Sequence, residues 1–235
     1  MAGIITHIAL TDRILSTLPE GTIGDVPKFF CGNLAPDAVH SRAGYKREYK
    51  KHSHLRDGIS DWDFLKPDML ALFRSRLGGF VSSFCKREDK NFWGYLGYVS
   101  HLIADEIYIR TVREDFRKKA ALIGVTQRDP EFFNLIMHDM NAADRIMAEK
   151  YKFIYDVRSI LREFETFDIS GYISAKESSD SRDWILEHYF CEENLFGEPL
   201  YMTFDELEGY VERASKEIIL RIKDIKIGAK LDKLA

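Results

Sequence analysis

The sequence predicts an all-α fold, and three observations carry that prediction. Apolar residues recur at helical spacing through most of the 235 residues. Helix-start signals such as Asp129-Pro130, a polar cap followed by a first-turn proline, punctuate the chain. Strand signals are few, residues 167–173 being the one short candidate. The length suits a single large domain over residues 1–235, with its chemistry-bearing residues in 1–150 and a helical C-terminal part in 151–235. No repeat, low-complexity segment or linker interrupts it.

The elements follow in order. A first helix is expected over 4–18, stopped by Pro19-Glu20-Gly21. Residues 21–61 mix Gly, Pro, Asn, Asp and charges without a sustained period, and read as one long loop, a length usually reserved for function. Pro67 suits the first turn of a helix running to Gly78-Gly79. Asn91 opens a strongly apolar helix continuing towards Ala120, and Asp129-Pro130 opens another reaching about residue 165. Ser181 to Phe190 is a shorter candidate. Thr203 and Glu206 form a capping box that opens a helix to about Ile225.

Composition excludes several classes. Aromatic residues make up 13 % of the chain, enough for a sizeable core without disulfides or structural metals. A net charge of −4 leaves no electrostatic footprint for nucleic acid, and no nucleic-acid partner is expected. Cys31, Cys85 and Cys191 are odd in number and widely spaced, which fits a reducing, cytoplasmic location. The amino terminus lacks the basic region of a secretory signal, and no apolar run reaches the roughly 18 residues of a membrane span.

Seven histidines offer chemistry. His101 and Asp105, at i and i+4, share one helical face, with Gly94, Gly97 and Tyr98 one and two turns earlier. The glycines leave room for a backbone or a ligand. An imidazole and a carboxylate projecting together make half of a zinc or iron site. Such a pair is also common as a surface interaction. Here Val99, Leu102, Ile103 and Ile107 put Asp105 beside a buried stripe, where a carboxylate needs a partner and a cation is a natural one. The long loop carries Gly32-Asn33-Leu34-Ala35-Pro36-Asp37 and then Lys51-His52-Ser53-His54, residues that solvated loops also collect. His52 and His54 share a face only in an extended segment, so the choice between them stays open. His40 is ambiguous. His7, among Ile4, Ile5, Ile8 and Leu10, reads as a satisfied core histidine. His138 has Ala142 at i+4 and does not repeat the earlier pair; His188 reads as structural or superficial.

Taken together, THIAL, GNLAPD, KKHSHL and GYVSHLIADEIY form an ordered series over residues 1 to about 145. The series resembles the bacterial zinc-dependent phospholipase C family. That resemblance implies an all-α fold with a metal cluster between helices and the long loop. It implies His7, Asp37, His54, His101 and Asp105 as metal ligands, with Asp105 bridging two ions and Asp37 acting as a general base or water-orienting residue. The implied activity is hydrolysis of a phosphodiester or phosphomonoester by metal-activated water, on a small phosphoester or phospholipid-like substrate.

Three departures accompany the resemblance. The family's amino-terminal Trp ligand has no counterpart, Met1 or Ala2 standing several residues before His7. Its histidine six residues after the bridging aspartate is Thr111 here, and its HxxxE pair is His138 with Ala142. The expectation is therefore one or two divalent ions, zinc foremost, with His138 a further candidate ligand. Two alternatives remain. His138-Asp139 supplies the dipeptide of an HD-type phosphohydrolase. A non-catalytic helical interaction protein with a degraded site is the other, for which the helix from Thr203 and the basic segment Arg221 to Lys233 form a partner surface or membrane-surface element, the segment otherwise being a solvated, frayed terminus. Nothing in the sequence sets the substrate or the oligomeric state.

Overall fold

A computed structural model describes residues 2–189 and 197–224. Among these, ten α-helices and one short 3-10 turn account for the regular structure, and the all-α expectation holds. The helices are α1 (Ile4–Thr17), α2 (Val26–Ala38), α3 (Arg47–Ser53), α4 (Pro67–Phe84), α5 (Phe92–Arg110), α6 (Val112–Leu122), α7 (Pro130–Lys150), α8 (Val157–Glu163), α9 (Ala175–His188) and α10 (Phe204–Asp224), with the 3-10 turn at Val39–Ser41. Cys191 and residues beyond 224, including most of the basic tail, lie outside the described residues. No described helix is long and apolar enough to cross a membrane.

The helix α5 forms the centre. From Phe92 to Ile109 every residue but Trp93 is buried, the pattern of a helix covered on all sides. Its closest neighbour is α2, and small residues make that crossing. A Cβ on Gly32 would stand 1.8 Å from the Gly94 carbonyl oxygen, and one on Gly97 would stand 2.1 Å from the Phe29 carbonyl oxygen. The room expected in front of Gly94 and Gly97 is thus taken by backbone. Helix α1 packs on α2, α7 and α10, which completes the shell around the buried helix pair.

The long-loop expectation for residues 21–61 is corrected. The GNLAPD segment is the last half of α2, and His54 caps α3. Asp25 caps α2 by accepting from the Lys28 amide, and Pro27 fits its first turn. Pro36 lies in the last turn of α2, where its missing N–H costs only the bond to the carbonyl of Gly32, and its own carbonyl accepts from Ser53 Oγ at 2.8 Å. The aperiodic look of this stretch arises because α2 is buried on all sides from Phe29 to Ala38, so no polar face alternates with an apolar one.

Other boundaries move for local reasons. The helix expected from Asn91 to Ala120 breaks at Thr111, whose hydroxyl donates to the Ile107 carbonyl. The one expected to reach 165 ends at Lys150. Asp12 then accepts the Ile154 and Tyr155 amides and turns the chain before α8. Helix α9 starts earlier than expected, behind a capping box of Ser174 and Glu177. The strand candidate 167–173 closes into a turn held by a single Ile169–Ile173 bridge around Gly171 at φ 83°.

Candidate metal centre

Five side chains from four elements meet beside the α2–α5 crossing. Helix α1 supplies His7, α2 supplies Asp37, the end of α3 supplies His54, and α5 supplies His101 and Asp105. All five are essentially buried. Two groups have metal-ligand proximity, His7 with His101 and Asp105, and Asp37 with His54 and His101. The structure thus brings together the residues implied by the ordered motifs.

The proton positions follow from the carbonyls behind the rings. His101 Nδ1 lies 2.7 Å from the Asn33 carbonyl oxygen, and His54 Nδ1 lies 2.8 Å from the Lys50 carbonyl oxygen. A carbonyl only accepts, so both Nδ1 atoms carry the hydrogen and donate. Burial, reinforced by the neighbouring His7, holds His101 well below the usual imidazole range. Burial likewise lowers His54, with Asp37 opposing. Both rings are therefore neutral at pH 7, and each Nε2 presents a lone pair.

Those lone pairs point at one another. The two Nε2 atoms are 3.2 Å apart, and His54 Nε2 is 3.4 Å from Asp37 Oδ1 and 3.6 Å from Asp105 Oδ2. His101 Nε2 to Asp105 Oδ2 is 3.9 Å. Zinc bonds of 2.0–2.1 Å in a tetrahedron place ligand atoms about 3.3 Å apart, close to the spacings around His54 Nε2. Asp105 Oδ2 makes no hydrogen bond although it is buried. The two imidazole lone pairs and the Asp105 oxygen lie together without a proton between them, which is costly unless a cation shares them. The residues present fit a divalent ion, and the hydrogen bonds from Nδ1 to carbonyls are the usual outer support of metal-bound histidine.

The second group is thinner. His7 stacks on His101 with centroids 3.7 Å apart and planes 10° from parallel. Its Nε2 is 3.4 Å from Asp105 Oδ1, and neither of its ring nitrogens has a hydrogen-bond partner. The expectation of a satisfied core histidine fails on that point. His101 has only Nε2 to offer, so one ion at most can use it. A second ion would rest on His7 and Asp105, the latter reaching both positions, while Asp105 Oδ1 also accepts from the Ala2 amide at 2.8 Å.

Asp37 has a further partner. Lys50 Nζ lies 2.6 Å from its Oδ1. Burial alone would raise the Asp37 carboxyl, but the Lys50 ammonium and His54 hold it well below the usual carboxylate range. It stands ionised beside the converging nitrogens.

The remaining candidates fall elsewhere. His52 is exposed, within reach of Asp57 at 2.7 Å and of the Gly171 carbonyl at 3.1 Å, so His54 is the histidine of this segment at the centre. His40 is exposed and edge-on to Tyr45. His138 is corrected as a ligand candidate. It is exposed, its nearest carboxylate is its neighbour Asp139 at 3.4 Å, and it joins neither group. Asp139 accepts three amides, those of Leu200, Tyr201 and Met202, so the dipeptide of the HD-type alternative is spent on holding the chain before α10.

Sequence reasoning missed Asp144. This buried carboxylate from α7 accepts the Ile5 amide at 2.9 Å, the Thr6 amide at 3.0 Å and the Thr6 hydroxyl at 2.7 Å. Helix α1 has no side-chain cap of its own, so a residue more than 130 positions away satisfies its first turn and fixes the helix that carries His7. A tertiary cap leaves no local sequence signal.

No family model matches the chain, and neither a curated protein nor a solved structure matches it.

Proposed function

We propose that the chain is a metal-dependent phosphoester hydrolase with its ion held by His54, His101 and Asp105, Asp37 standing beside a coordination position left open to water. The observation that carries the reading is the meeting of the His54 and His101 Nε2 atoms, 3.2 Å apart, beside the buried Asp105 and Asp37 carboxylates, with both rings oriented by backbone carbonyls. The order of the motifs, similar to that of zinc-dependent phospholipases C, supplies the reaction class. A divalent cation bound there would polarise a phosphoryl oxygen and lower the pKa of water towards neutrality. Zinc suits an imidazole–carboxylate set best, with iron and manganese as other occupants. Asp37 is the residue to orient that water or take its proton, because its carboxylate is ionised and lines an open cavity. Lys50, paired with Asp37 and lining the same cavity, offers an ammonium to the phosphoryl oxygens.

Elemental analysis of purified protein tests the reading together with turnover of bis(p-nitrophenyl) phosphate and p-nitrophenyl phosphate. We expect one or two divalent ions per chain and hydrolysis that stops on chelation and returns with zinc. Protein that is folded but holds no metal after dialysis against zinc would overturn it. Stoichiometric metal with no turnover of either ester would leave a structural metal protein.

A further inference from the structure

One large cavity opens onto Asp37. Its volume is about 400 Å³, within the range of small-molecule sites. One end is polar, where Asp37 and Lys50 line it. The rest of the lining interleaves apolar side chains with polar ones such as Asn141 and Ser181. Helix α7 contributes Met137 and Met140 from one face, α9 contributes Trp184, and Ile4 adds the start of α1. Trp184 is 42 % exposed and stacked on His188, with centroids 4.5 Å apart. Its ring thus offers an apolar face to whatever enters the cavity.

We propose that this cavity takes the alcohol part of the substrate: one compact apolar group, aryl or short alkyl, esterified to a phosphate that faces Asp37 and Lys50. For the phosphate end, the proposal rests on the hydrolase reading. For the apolar end it rests on the walls alone. The acidic groups at the cavity are already engaged. Asp144 caps α1, and Asp180 pairs with Lys176 at 2.6 Å. Lys50 is the only lysine or arginine in the lining, so the walls hold no cation for a second phosphate and disfavour nucleoside polyphosphates. The volume sits near the lower end of ligand sites, which suits one compact group and not a pair of long acyl chains. Methionine walls adapt to aryl and alkyl shapes alike.

Binding of non-hydrolysable phosphonates to the metal-loaded chain, by titration calorimetry, tests this. Affinity should rise about fourfold per methylene from methyl- to butylphosphonate, the scale of methylene burial. Phenylphosphonate should bind at least tenfold tighter than methylphosphonate. Met140→Glu should weaken phenylphosphonate at least tenfold and methylphosphonate less than twofold. Trp184→Ala, at a half-exposed position, should flatten the series in the same sense. A flat series, no binding at millimolar ligand, or a gradient untouched by Trp184→Ala overturns the assignment. Metal content and ester turnover of the same preparation separate the two readings. A flat series with metal and turnover intact removes the cavity assignment alone. A steep series in protein that neither holds metal nor turns over removes the hydrolase reading alone.

Discussion

Gly32 lies against the Gly94 carbonyl so closely that a methyl group on it would stand 1.8 Å from the oxygen. The contact sets the spacing of the two helices that bring Asp37 to His101. Gly32→Ala must push α2 and α5 apart, with a cost typical of overpacking, on the order of 3 kcal/mol. For a chain of this length that lowers Tm by roughly 6–12 °C. Gly78 gives the contrast. It is helical and has nothing within 4 Å of a built Cβ, so Gly78→Ala should gain up to about 1 kcal/mol. Thermal melts of both variants, with metal content, check the pair. Equal Tm values would mean that the close crossing is not structural.

A second expectation separates the two aspartate-bearing helices. Asp105→Ala removes the carboxylate that reaches both ligand groups and accepts the Ala2 amide, so metal should fall to background. His138→Ala touches an exposed ring and should leave metal content unchanged and Tm within the usual half kcal/mol of surface substitutions. Elemental analysis of both proteins decides. Metal lost from His138→Ala and kept in Asp105→Ala would restore the HD-type alternative.

The sequence showed more of the site than of the elements that carry it. His101 and Asp105 were legible because four residues of helix put them on one face. Asp37 and His54 were legible only from the order of motifs, because each sits at a helix end amid residues that look like loop. Helix α2 escaped notice since burial on every side erases periodicity. His54 could not be told from His52 by spacing; the choice depends on which ring reaches α5, a tertiary matter. Asp144 left no trace, since its partners are amides across the fold. The two-residue unit His138-Asp139 looked like chemistry, but three amides around 200–202 claim its carboxylate.

Asp144 also gives a pH dependence. Burial, opposed by hydrogen bonds from Thr6 and Ile5, pushes its carboxyl up to about 6, from an ordinary 3.8. A carboxyl raised on folding takes up a proton as the chain folds. Its contribution to stability is full below pH 3.8 and lost as pH rises through about 6. Between pH 4.5 and 7 the parent should therefore lose on the order of 2 kcal/mol relative to Asp144→Asn, which carries no charge at either pH. Denaturant melts of both proteins at the two pH values measure the difference of differences. No change in that quantity, or a change of opposite sign, would place the Asp144 carboxyl in the ordinary range.

The last expectation concerns Asp37. Its Oδ1 faces both Lys50 Nζ at 2.6 Å and His54 Nε2 at 3.4 Å, and the carboxylate lines the cavity where a phosphoester would enter. Asp37→Asn preserves shape and one acceptor oxygen while removing the charge. A residue that positions or deprotonates water acts within about 2.6–3.2 Å of it, and its loss costs roughly 100-fold or more in rate. We expect kcat for bis(p-nitrophenyl) phosphate to fall by at least about 100-fold. Metal content in the same variant separates two roles. If the ion stays, His54, His101 and Asp105 suffice to hold it, and the lost rate belongs to the handling of water. If the ion leaves, Asp37 is needed as a ligand, and the rate carries no information about a base. Lys50→Met makes the distinction sharper. It removes the ammonium that keeps Asp37 ionised without altering the ligand set, so metal should stay and the acid limb of the pH–rate profile should move to higher pH. A profile unmoved by Lys50→Met, together with Asp37→Asn at full rate and full metal, would take Asp37 out of the reaction while leaving His54, His101 and Asp105 as the ligand set.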